Sequence, residues 1–413
     1  MKIIAVSVFV TVLASITACA PAAVAPIVNP PLTLTSGKFV SPNSDEYDGF
    51  GHCVAVSADG TSFAVGAQNA FGYGAVYHYK KNGGTWIETI FMESNLSGLA
   101  GLYGTAVTVS GDGLTFAVGV PYTACSSFAE SGLVFVYQYT GSKWYMTMLS
   151  NPAPQPGQHF GYSLAVTPDH SSLIIGCPGE GAGFAYIFTN TGTNWMQRYQ
   201  SSDEGIRVLY GASVAQTPDG GAWLIGAPGT EIGHGAAYVK SIPQPTGYQQ
   251  KFESGIPGGS QMAGSSVAVS SNHNLAAVGI PGLNGDQGRV IIAEYNGSVW
   301  TQMSGKSTNF NGASLSNSFG TCLSINPDAT LLIAGAPMAD MGANTNQGAA
   351  YLYGWDGTKW TNMSIVDTDG ASEDYFGQSA AMSDNGRLIV IGIEGDDVAG
   401  QVNQGSVYIL EIK

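Results

Sequence analysis

Seven pairs of glycines, each pair separated by the same fifteen-residue interval, constrain this chain more than any other feature. The first members are Gly51, Gly104, Gly161, Gly211, Gly264, Gly320 and Gly377; the second are Gly66, Gly119, Gly176, Gly226, Gly279, Gly335 and Gly392. Six of the first members follow an aromatic residue (Phe50, Tyr103, Phe160, Tyr210, Phe319, Phe376), and Ala263 fills the remaining slot. A fixed period of this length is the mark of a repeat architecture, in which each unit buries its apolar face against its neighbours.

Inside each interval the residues alternate. Small residues stand two positions after the first glycine (Cys53, Ala106, Ser163, Ser213, Ser266, Cys322, Ser379), and mostly larger apolar residues stand one position later (Val54, Val107, Leu164, Val214, Val267, Leu323, Ala380). That period of two is a strand with one crowded face. Asp59, Asp112, Asp169, Asp219, Asn272, Asp328 and Asn385 then occupy a shared turn column, and a second apolar strand runs to the second glycine. A third strand starts at a further glycine, as in 74–77 and 405–408. It leads into a second turn, such as Asn82-Gly83 or Asp356-Gly357, three residues before Trp86, Trp144, Trp195, Trp300 or Trp360. Four antiparallel strands repeated seven times predict an all-β, seven-bladed β-propeller. The last repeat stops at Lys413 after its third strand. Leu32 to Val40, ahead of the first repeat, is therefore expected to supply the missing outer strand and close the ring.

The tyrosine- or phenylalanine-glycine pairs followed by Gly226-Ala227-Pro228 and Gly335-Ala336-Pro337 resemble the FG-GAP repeat. The resemblance spans residues 45–413 and implies the seven-bladed head found in integrin α chains and in many bacterial and viral surface proteins. It fits better than WD40 or kelch propellers, since the blades lack a Trp-Asp ending and a recurrent Gly-Gly doublet. One departure matters. Integrin-type repeats carry Asp-x-Asp-x-Asp-Gly calcium loops between strands one and two, whereas here each turn offers one carboxylate or amide. Calcium needs six to eight oxygens, so the turn-column aspartates are read as turn formers.

The N-terminus reads separately. Residues 1–18 form a signal peptide, with Lys2 ahead of an apolar run too short to span a membrane. Ile16-Thr17-Ala18-Cys19 resembles the lipobox of bacterial lipoproteins, which would make Cys19 a lipidated terminus; an ordinary cleavage near Ala18 is the other reading. Residues 19–31 read as an Ala/Pro tether and 32–413 as one propeller. The chain is thus expected at a cell-envelope, extracellular or virion surface, with Cys19 as its one membrane tether.

Charge narrows the partners. Lys and Arg total 14 against 29 acids, a formal net charge of −15, which leaves little to bind phosphates and argues against nucleic acid. The loops joining strands two and three measure eight, thirteen, seven, nine, nine, thirteen and thirteen residues from glycine to glycine. They share a face with the loops entering each blade, and that face is the candidate for function because binding residues gather on loops over a rigid scaffold. Most of the acids fall there, opposed by Arg207 and Lys306. The densest cluster is the seam between last and first blades: Asp45, Glu46, Asp48, Asp367, Asp369, Glu373, Asp374, Glu394, Asp396 and Asp397. These are the candidate ligand-binding residues. Two readings of them stand open: a divalent cation such as calcium or a basic partner held at the seam, or a solvated acidic rim. No cofactor is otherwise expected.

No Gly-x-Ser-x-Gly elbow, zinc His-Glu motif or phosphate loop is present. The arginines, Arg198, Arg207, Arg289 and Arg387, are too scattered for a sialidase-like site. Cys53, Cys177 and Cys322 sit in structural columns, and the Trp column reads as packing between blades. The expected function is a non-enzymatic binding or adhesion module that presents an acidic loop face to a protein or glycan. The alternatives are a structural component of a cell or virion surface, and a hydrolase or lyase using seam carboxylates such as Asp374 and Asp396 as acid and base.

Overall fold

The computed structural model describes residues 22–24, 27–28, 37–92, 102–125, 127–179, 181–192, 194–202, 208–229, 233–241, 250–253, 260–270, 275–296, 299–303, 310–312 and 317–412. Residues 1–18, read above as a signal peptide, and Cys19 lie outside the described residues.

Seven antiparallel sheets follow one another around a ring, each built on four strands; those of blades one to six run in chain order, and those of blades one and two carry a fifth, short outer strand. Blade one comprises Phe50–Val56, Ser62–Ala67, Ala75–Asn82 and Thr85–Phe91. Blade seven contains Ala380–Met382, Leu388–Ile393 and Ser406–Glu411, and its fourth strand is Gly37–Phe39. Lys38 pairs with Tyr408 and Phe39 with Val407, so a strand from the start of the chain completes the last blade. The expectation for 32–40 holds over these three residues, and 32–36 lie outside the described set. Two further short strands come from the segment read as a tether. Ala22–Val24 pairs with the outer strand of blade two, and Ile27–Val28 with that of blade one.

The second strands are buried along their whole length, as in Ser62–Ala67, Thr115–Val120 and Leu388–Ile393, or along all but their first residue, as in Ser172–Cys177. They lie mid-blade with neighbouring blades on both sides, which is why they read as unbroken apolar runs. Most first strands are partly exposed, as in Ser163–Val166 and Ser213–Gln216, because residues from all seven blades line a central channel; Ala106–Val109 of blade two is buried throughout. Trp86, Trp144, Trp195, Trp300 and Trp360 are all buried. Trp144 of blade two meets His78 of blade one edge-on at 5.2 Å, so the Trp column does pack between blades.

The glycine pairs are the joints of the ring. A Cβ on Gly392 would collide with the backbone carbonyl of Gly51, whose own φ of 102° lies where side chains are disfavoured. The same approach recurs at every junction, for example Gly66 against Gly104 and Gly226 against Gly264. In six of the seven blades a side chain of the small-residue column completes the joint, Ala106 of blade two being the exception. The hydroxyls of Ser163, Ser213, Ser266 and Ser379 donate to the first-glycine carbonyl of the next blade at 2.7–2.9 Å. Cys53 and Cys322 do the same through Sγ at 3.0 and 3.2 Å.

Candidate functional site

The turn-column acids shape turns. Asp59 Oδ1 accepts from Ser57 Oγ at 2.6 Å and Thr61 N at 2.9 Å; Asp219 repeats this with Thr217 Oγ1 and Gly221 N. These are Asx turns, whose oxygens are committed to the backbone.

The seam carboxylates converge in part, on an ammonium that the charge count had left unopposed to them. Lys38 Nζ lies 2.7 Å from Asp367 Oδ2, 3.0 Å from Asp369 Oδ1 and 3.0 Å from Asp396 Oδ2. Asp367 and Asp396 are buried while Asp369 is open to solvent. Burial works to lower the Lys38 pKa, but hydrogen bonds to the three aspartates outweigh it and raise it. Burial raises Asp367, with Asp369 adding to the shift, and Asp369 is lowered by its hydrogen bonds to Asp367 and Lys38. Lys38 thus occupies the centre where a divalent cation would have to sit. Among the described residues no group of three or more His, Cys, Asp or Glu comes together as a metal site. Arg207 and Lys306 lie outside the described residues.

The remaining seam acids have separate tasks. Asp48 Oδ2 accepts from Asp45 N at 2.7 Å, and Asp374 Oδ2 accepts from Ala371 N at 2.6 Å. In blade three Gln158 Oε1 does the same for Gln155 N at 2.9 Å, so Asp48 and Asp374 belong to a loop-shaping column three residues before the first glycine. Both aspartates are buried. Burial pushes Asp374 up to about 6, opposed by the Ala371 N–H. Asp397 Oδ1 accepts from Asn403 N at 2.8 Å, as Asp340 Oδ1 does from Asn346 N in blade six. Glu394 Oε1 joins blade seven to blade one through His52 Nδ1 at 2.9 Å and Gln68 Nε2 at 3.0 Å. Asp45, Glu46 and Glu373 are exposed, and Glu373 bonds Tyr375 and Asn346.

Two clefts open on the loop face. The seam cleft, about 360 Å³, is lined by Tyr47, Asn69, Tyr375, Glu394 and Asn403, so Glu394 alone of the ten seam acids borders it. A larger cleft of about 620 Å³ crosses blades two to four and was not singled out in the sequence. Its rim carries Glu130, His159, Tyr162 and Leu209, and its walls include Pro178, Gly179 and Pro228. His159 Nε2 stands 3.3 Å from Glu130 Oε2, and the ring of Tyr122 backs His159 at 4.9 Å between centroids. Burial raises the Tyr122 pKa first; Tyr162 and Glu130 add to it, which marks the three as neighbours.

Backbone fixes this rim. Gly157 N, His159 N and Phe160 N donate to Ala129 O, Glu130 O and Ser131 O at 2.9–3.0 Å, zipping blade two's long loop to the entry of blade three. Glu130 (φ 51°), His159 (φ 57°) and Leu209 (φ 54°) are all left-handed, a strained conformation that throws their side chains onto the loop face. The signal in the sequence was positional: His159 precedes the aromatic-glycine pair by one residue, a place that is left-handed in every blade, and Glu130 precedes the third-strand glycine by two.

A family model for the FG-GAP repeat matches residues 360–410, spanning the outer strand of blade six and most of blade seven. No curated protein matches the sequence. Among solved structures, the chain is similar to Kuenenia stuttgartiensis hydrazine synthase, with 11% identity and a TM-score of 0.56. The match covers 91% of this chain and 97% of that one. At that identity the likeness is one of fold.

Proposed function

We propose that this seven-bladed β-propeller, which carries a match to the FG-GAP repeat, is an exported, non-enzymatic binding module whose loop face holds a protein or glycan ligand. The observation that carries this reading is the pair of clefts on one face, the larger of about 620 Å³, within the size range of ligand pockets. Both are framed by loops that a rigid ring holds in place, and both contain a His–Glu pair or border one: His159–Glu130 and His52–Glu394.

The same face exposes Tyr47, Phe71, Tyr162, Leu209 and Met338, apolar groups that a partner would cover. With a net charge of −15, nucleic acid and anionic surfaces are poor partners. Asp374 and Asp396, the pair considered as acid and base, are buried and line neither cleft, so a hydrolase or lyase mechanism draws no support from them.

A glycan and protein array screen tests the proposal. Saturable binding that the loop-face variants Tyr47→Ala or Tyr162→Ala weaken is the expected result. Failure to find a ligand, together with measured turnover of a substrate, would replace the binding module with an enzyme.

A further inference from the structure

We propose that the cleft across blades two to four is a binding site for a neutral pyranose, the terminal or penultimate sugar of a glycan. The inference rests on the loop-face reading above and narrows it to one site and one ligand class. A sugar ring presents two kinds of surface: a flat patch of C–H bonds, and equatorial hydroxyls in pairs. The cleft offers a complement to each.

For the apolar patch there are rings at Tyr162, which is 37% exposed, and at His159, held from behind by Tyr122. Leu209, 43% exposed, and Pro178 and Pro228 extend that apolar surface across the cleft. For the hydroxyls there are the Glu130 carboxylate and the His159 imidazole, 3.3 Å apart, near the spacing of neighbouring hydroxyl oxygens on a ring. With His159 Nε2 holding Oε2 in place, the remaining lone pairs of the Glu130 carboxylate can accept the protons of two neighbouring hydroxyls. The volume of about 620 Å³ has room for one to two sugar rings and their waters.

Charge selects neutrality. No lysine or arginine lines the cleft among the described residues, which disfavours uronic or sialic acids on a chain with a net charge of −15. The groups are also preorganised: three of them sit on left-handed backbone pinned by the loop-to-loop hydrogen bonds, so little ordering remains to be done on binding.

Saturation-transfer NMR on the full mature chain, with the methyl glycosides of glucose, galactose, mannose and N-acetylglucosamine as probes, tests this. At least one probe should show transfer with millimolar or tighter affinity. Tyr162→Ala and Glu130→Gln should each weaken it at least tenfold, and Met363→Ala on the exposed outer strand of blade six should leave it unchanged, all three variants keeping the parent melting temperature within a few degrees. Transfer that survives both Tyr162→Ala and Glu130→Gln would overturn the site. Absence of transfer from all four sugars would overturn the ligand class, while a protein partner found on the array would leave the binding-module reading intact.

Discussion

Lys38 Nζ lies 2.7 Å from Asp367 Oδ2, although the lysine stands near the start of the chain and the aspartate leads into its last blade. The contact latches the ring where the sheet itself contributes only a three-residue strand. Asp369 and Asp396 share the same ammonium, so one cation answers three carboxylates. Lys38→Met should strand Asp367 and Asp396, both nearly inaccessible, and cost about 3 kcal/mol, the range for removing one partner of a buried pair. A thermal melt at pH 7 checks this. The deficit should shrink as pH falls toward 6, because Asp367, already raised to about 6 beside the ammonium, moves higher once Lys38 is gone and takes up its proton. An unchanged melting temperature at pH 7 would show that the latch contributes nothing.

Gly392→Ala should be far more damaging. The added methyl meets the carbonyl of Gly51 on the neighbouring blade, and backbone cannot step aside without opening the ring. A loss beyond about 4 kcal/mol is expected, in the class of strained backbone substitutions. Gly84→Ala is the control, since nothing lies within 4 Å of a Cβ there; it should stay within about 1 kcal/mol of the parent. Equal stability of the two variants would refute the role assigned to the paired glycines.

These joints explain why so much of the fold was legible in the sequence. Each blade must meet the next through the same backbone approach, so the glycine pairs recur seven times, Ser or Cys fills six of the seven small-residue positions, and Asp or Asn holds every turn, all standing out above local noise. The seam was harder to read, because its acids fall into different columns that coincide only in sequence density. Asp48 and Asp374 look like ligands beside their acidic neighbours, yet the same position holds Gln158 in blade three and serves the same loop. Lys38 is invisible to any repeat argument, since the strand bearing it belongs to blade seven but precedes blade one. The cleft at His159 depends on left-handed backbone, which hydrophobic periodicity does not report.

The cysteines provide a chemical test of the joints. Burial pushes the thiols of Cys53, Cys177 and Cys322 up to about 12, so at pH 8 only on the order of 10⁻⁴ of each is thiolate. Iodoacetamide at pH 8 should leave all three unmodified in the native chain and alkylate them in denaturant, as read by peptide mass spectrometry. Cys53→Ser and Cys322→Ser should fold with near-parent stability, because serine already makes this hydrogen bond in four other blades. Rapid native alkylation at Cys53 or Cys322 would mean that the joints open.

Stability against pH should carry two opposed signatures. His78 is wholly buried, stacked on Phe116 at 5.2 Å with its Nε2 2.8 Å from Ser62 Oγ. Burial, with Lys80 adding to it, lowers its pKa to about 3. The unfolded imidazole takes a proton near 6.5, so the stability this site provides is complete above that value and drains away as pH falls from 6.5 toward 3. Asp374 runs the other way. Its folded pKa of about 6 exceeds the unfolded value near 3.9, so its charge costs stability above pH 6, and that cost is relieved as pH falls toward 4. Asp374→Asn keeps an oxygen for the Ala371 N–H and loses the charge. It should therefore melt higher than the parent above pH 7, with the difference gone by about pH 4, while the His78 imidazole resonance stays flat from pH 8 to 4. Melting temperatures of parent and variant taken at unit steps of pH decide the matter: curves that run parallel throughout would show that Asp374 sits in the fold no more reluctantly than in the unfolded chain.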